Sequence, residues 1–169
     1  MVRDMRISQE PNLKEWVGKE GGRLFTCGRP GRWVAGFEKS LTPVPEKVIL
    51  EWVKTLPKAD VVHLVSLLGH KSAGKNVGTS EFVYYPFRSA TEASVKPMFQ
   101  DWLNDHCVER FAVHEFPTVD ARGIKKELMN SVESCLLELL RRDQTVIVID
   151  SAGEERTARV CENIGYKKA

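Results

Sequence analysis

No apolar run in this chain approaches the roughly 20 residues that a helix needs to cross a bilayer. The N-terminus also lacks the hydrophobic stretch of a secretory signal. A soluble, cytoplasmic protein with no membrane partner is expected. CxxC spacing is missing too: the four cysteines, Cys27, Cys107, Cys135 and Cys161, are scattered. That disfavours a disulfide framework and suits a reducing compartment. No basic block dominates, and the net charge is only +2, so no nucleic-acid partner is expected. Internal repeats, low-complexity segments and clusters of metal-ligating residues are not apparent. No cofactor is therefore expected.

What is present is ordinary for a globular domain: 169 residues, 42% hydrophobic and 28% charged. That length can bury one sizeable core. Residues 1–20 are polar and mixed and read as an N-terminal segment, with a short helix over Asn12 to Lys19. Residues 21–169 read as the domain. Arg23 to Cys27 reads as a first strand. Gly28-Arg29-Pro30-Gly31-Arg32 is a basic turn, with solvation favoured over anion contact. Thr42 and Pro43 mark a helix start. Val48, Ile49, Trp52, Val53 and Leu56 give that helix an apolar face. Val61 to Leu68 reads as a buried parallel strand. His63 inside it reads as a core or near-core histidine.

Further on, Glu81 to Phe87 reads as another strand and residues 88–97 as a loop. Phe99, Trp102 and Leu103 mark one side of a helix. Phe111 to Phe116 is a strand ended by Pro117. Ile124, Leu128, Val132, Cys135, Leu136, Leu139 and Leu140 mark a long helix ending at Arg141-Arg142, where basic residues suit the dipole. Alternating strands and helices predict an α/β fold, a mostly parallel central sheet flanked by helices. Val61–Leu68, Phe111–Phe116 and Val146–Ile149 should be neighbours in it.

The chain is organised around Thr145-Val146-Ile147-Val148-Ile149-Asp150-Ser151-Ala152-Gly153-Glu154-Glu155-Arg156-Thr157. A β-branched strand runs into a small-residue turn and then a helix start. Such a turn gathers backbone N–H groups and favours anions.

The stretch from Ile149 to Thr157 resembles the signature loop of the cysteine-dependent protein tyrosine and dual-specificity phosphatases, His-Cys-x-x-Gly-x-x-Arg-Ser/Thr. Gly153, Arg156 and Thr157 match it. Ile149 stands at the histidine and Asp150 at the nucleophilic cysteine. The resemblance extends from Trp102 to Arg159. It implies a phosphatase-like fold, a phosphate-binding loop of Ser151, Ala152, Gly153, Glu154, Glu155, Arg156 and Thr157, and a general acid at Asp120. Asp120 lies about thirty residues before the cysteine position, as the family's general acid does. Asp150 and Arg156 complete the candidate catalytic set. The partner implied is a phosphorylated protein or a small phosphate or other anion.

Asp150 is a poor substitute for a thiolate, and Glu154 and Glu155 should oppose a phosphate dianion. The expected function is thus a pseudophosphatase acting in binding or scaffolding, with Asp150 and Arg156 paired across the cradle. The family has further helices after the signature helix. Here the N-terminal segment, or a second subunit in a homodimer, would cover the surface they shield. Two alternatives stay open. One is an active phosphatase with altered loop chemistry. The other is a nucleotide-binding protein using residues 69–76 and 150–155. Gly69 to Lys75 fits G-x-x-x-x-G-K, and Asp150 to Glu155 resembles the Asp-x-Ala-Gly-Gln-Glu of small GTPases. Asn76 lacks the hydroxyl that would hold Mg²⁺.

Overall fold

The computed structural model describes residues 12–34, 36–37, 43–69, 81–106, 110–118 and 124–169. The strands are β1 (Lys14–Val17), β2 (Arg23–Gly28), β3 (Val61–Ser66), β4 (Arg110–Glu115), β5 (Thr145–Asp150) and β6 (Lys167–Lys168). The helices are α1 (Glu46–Lys54), α2 (Phe99–His106), α3 (Lys126–Arg141) and α4 (Glu155–Asn163). One sheet holds every described strand, in the order β4-β3-β5-β2-β1-β6.

The expected strand neighbours are observed: β3 pairs in parallel with both β4 and β5. β2 continues the parallel set on the other side of β5. The sheet is nevertheless mixed rather than mostly parallel, because β1 runs antiparallel to both β2 and β6. The reason lies in the N-terminal stretch expected to be helical. Its residues alternate at a period of two, with Trp16 buried between exposed Glu15 and Val17. The Trp16 indole donates to Thr26 Oγ1 at 3.0 Å, which fixes the hairpin register.

Side chains alternate across the central strands and feed two cores. Ile147 and Ile149 pack with Val48, Ile49 and Trp52 of α1 and Phe99, Trp102 and Leu103 of α2. Val146 and Val148 pack with Val132, Leu136 and Leu140 of α3 and Val160 of α4. The result is three layers, with helix pairs on opposite faces of the sheet. Each fully buried Leu or Ile here contributes about 1.5–3 kcal/mol.

Two boundaries differ from expectation. The stretch after residue 80 is not a strand: Glu81–Tyr84 forms a 3₁₀ helix. Its aromatic residues recur at helical rather than alternating spacing. Phe82 meets Phe99 edge-on at 6.1 Å, and Phe87 stacks on Phe99 at 4.4 Å. α1 begins at Glu46 with Pro45 at the cap position. The expected cap, Thr42, lies outside the described residues, as do Asp120, Cys107 and positions 70–76 of the glycine-rich loop.

Candidate functional site

The four parallel strands end on one side of the sheet. Gly28 is in register with Asp150, and Ser66 with Ile149 and Glu115. Ligand sites of open α/β sheets lie outside such C-terminal ends. The turn 151–154 leads from β5 directly into α4, as the strand-turn-helix reading requires. Gly153 has φ +76°, and a Cβ there would come within 2.5 Å of the Gly28 nitrogen. Only glycine fits where the turn crosses β2.

Asp150 is buried, at 2% exposure. Its Oδ1 accepts the Gly153 N–H in a short hydrogen bond, and its Oδ2 accepts the Thr157 N–H at 3.0 Å. Two backbone amides, one from the turn and one from the first turn of α4, therefore converge on a carboxylate belonging to the chain. Asp150 also caps α4 from outside it, since Glu154 at the N-cap makes no side-chain cap bond. A negative charge at a helix N-terminus is favourable. Beside it, the Thr157 hydroxyl is buried without a hydrogen-bond partner.

The loop carbonyls turn outward. Ala152 O accepts from Asn12 Nδ2 at 2.8 Å and from the Trp33 indole at 3.0 Å. Arg29 N donates to Ser151 O at 3.1 Å. The basic turn is therefore not a solvated one: Arg29 is buried at 4% exposure. Its guanidinium donates to Tyr85 Oη and Phe37 O. Burial pushes the Tyr85 hydroxyl up to about 12, against the opposing pull of Arg29.

Arg156 does not close a ring with Asp150. Its guanidinium forks onto Glu81, Nη1 to Oε1 at 3.3 Å and Nη2 to Oε2 at 3.2 Å. Nη1 also donates to Thr118 Oγ1 at 2.7 Å and to Leu67 O at 3.2 Å. Both charges are buried, Glu81 at 4% and Arg156 at 7% exposure. Glu81 Oε1 further accepts the Gly69 N–H at 2.9 Å. Arg156 thus ties together the chain following β3, the chain following β4, and the 3₁₀ helix.

Two of the candidate loop amides, those of Gly153 and Thr157, and the arginine consequently have internal carboxylate partners. The Asp150 carboxylate is occupied by two N–H bonds, and burial limits approach to it. Burial pushes the Cys27 thiol well above its ordinary range, and the Asp150 charge adds to this. Cys27 lies beside Ile149 in the ladder, and it offers no thiolate in place of the absent one.

Ser151 and Ala152 are half-buried, and Glu154 and Glu155 are exposed at the start of α4. Among the described residues, no group of three or more His, Cys, Asp or Glu side chains could hold a metal ion. No described helix is long and apolar enough to cross a membrane.

Sequence reasoning missed Glu81, which looked like the first residue of a strand. An acidic residue opening an aromatic run gave no local sign that it would turn inward. His63 was placed correctly near the core, but its partner was missed. His114 on β4 lies 2.9 Å away, Nδ1 to Nε2, and Gln144 holds the other nitrogen of His63 at 3.1 Å.

A three-layer α/β domain with a strand-turn-helix loop at the C-terminal edge of its central parallel strands is the class these observations define. No family model matches the chain, and no curated protein or solved structure shows a match to it.

Proposed function

We propose that this domain is a phosphatase-like binding module without thiol phosphatase chemistry. The resemblance of the 149–157 stretch to the signature loop motivates the reading. The observation that carries it is the pair of internal carboxylates. Asp150 accepts the loop amides of Gly153 and Thr157, while Glu81 holds the fork of Arg156. An arginine fork and a ring of amides are what an oxyanion requires. With the fork and the Gly153 and Thr157 amides already on carboxylates, an incoming phosphate must displace a buried charge to use them. Glu154 and Glu155 at the mouth oppose it further. The protein therefore binds free phosphate weakly and does not turn over aryl phosphates. Its role is binding or scaffolding in the cytoplasm.

Calorimetric titration of phosphate into the native protein and Asp150→Ser tests this. Asp150→Ser removes the carboxylate from the loop amides, and its phosphate affinity is expected to rise. Equal affinity for both proteins would show that Asp150 does not occupy an anion cradle. Aryl phosphate turnover that survives chelation of Mg²⁺ and is lost in Arg156→Ala would overturn the inactive reading.

A further inference from the structure

The two outer strands of the sheet are protected in different ways. β6 is two residues long, and both are lysines, Lys167 and Lys168. Short, charged outer strands resist pairing with another chain. β4 is not short, and its acidic and basic residues, Arg110 and Glu115, sit only at its ends. It is six residues long, and its even-numbered residues turn toward β3, as the Phe116 N–H to Ser66 O bond of 2.9 Å shows. Its odd-numbered residues therefore face outward.

Gln100 of α2 meets those outward groups. Its Nε2 donates to Phe111 O at 2.6 Å, and its Oε1 accepts the Val113 N–H at 2.7 Å. In a parallel ladder, one residue gives its N–H to the carbonyl before its counterpart and takes the N–H after it. The Gln100 amide makes that same pair of bonds around Ala112. A primary amide is suited to this, having a donor and an acceptor side by side as the peptide group does.

We propose that Gln100 acts as a surrogate strand residue, closing the β4 edge against strand addition by a second copy of this chain. Removing it exposes the Phe111 carbonyl and the Val113 N–H on an edge that is otherwise long enough to template pairing. Glutamate at this position would keep the acceptor for Val113 but lose the donor to Phe111.

The test uses the full chain as native protein, Gln100→Ala and Gln100→Glu. Amide hydrogen exchange at Val113 and light scattering after size exclusion at rising concentration are measured on each. In Gln100→Ala, Val113 should exchange roughly tenfold faster while the protein is dilute. The same variant should show an association step at concentrations where the native protein shows none. In Gln100→Glu, the Val113 amide should stay protected. Native-like exchange at Val113 in Gln100→Ala would overturn the proposal, as would native-like association. Should Gln100→Ala fail to fold, Gln100→Glu decides alone: loss of Val113 protection in a folded Gln100→Glu would sink the surrogate role.

Discussion

Removing the Glu81 carboxylate is the most direct test of how the site is held together. In Glu81→Ala the Arg156 guanidinium, at 7% exposure, loses its forked partner. The Gly69 N–H loses its acceptor in the same step. Breaking a buried ion pair from one side costs about 3–5 kcal/mol, because it strands the remaining charge. The Thr118 hydroxyl and the Leu67 carbonyl stay near Arg156 and hold the cost toward the lower end. For a domain of this size, each kcal/mol moves Tm by about 2–4 °C. A fall of roughly 6–12 °C is therefore expected for a cost near 3 kcal/mol. Glu81→Gln should lose less, since its amide oxygen can still accept from Gly69 or Arg156. The assay is thermal and urea unfolding of Glu81→Ala, Arg156→Ala and the double variant. The double variant should cost clearly less than the sum of the two, because the second removal strands nothing new. Additive losses, or a Glu81→Ala shift under about 2 °C, would refute the coupling argued here.

Gly153→Ala should destabilise by at least about 1–3 kcal/mol, from the left-handed backbone alone, before the clash with β2 is added. An unchanged urea midpoint would remove the claim that the turn needs glycine there. Cys27 should resist alkylation in the native protein up to mildly alkaline pH and react on unfolding, since burial raises its pKa. Rapid labelling of Cys27 while the fold persists would contradict that. The His114 pKa is lowered from its ordinary 6.5, chiefly by burial and then by His63. Neutral His114 thus contributes stability that is complete above pH 6.5 and is lost as pH falls through the folded value. His114→Gln should flatten the acid side of the stability profile, and an unchanged slope would show that His114 is not the group responsible.

That three central strands are neighbours was readable because β-branched runs such as Val146 to Ile149 suit one environment, a strand covered on both faces. The strand-turn-helix was readable because the β-branched run stops at small residues, Ser151-Ala152-Gly153, before a helix start. The partners at the site were not readable in the same way. Arg156 and Glu81 are 75 residues apart, and no local periodicity links them. An acidic residue opening an aromatic run is usually a solvated end, and the run itself could alternate as a strand. Only the packing of Phe82, Tyr85 and Phe87 with Phe99 turns that segment into a 3₁₀ helix and carries the Glu81 carboxylate inward. That decides the fate of Asp150 as well. The sequence paired Asp150 with Arg156, and in the structure the guanidinium goes to Glu81 instead. Glu81 meets the fork with both oxygens, and Asp150 is left to the amides that a helix start and a tight turn leave without acceptors. The loop is therefore neutralised from inside at two separate points. For this loop to hold an anion both carboxylates would have to give way, and Asp150→Ser alone should free only the Gly153 and Thr157 amides.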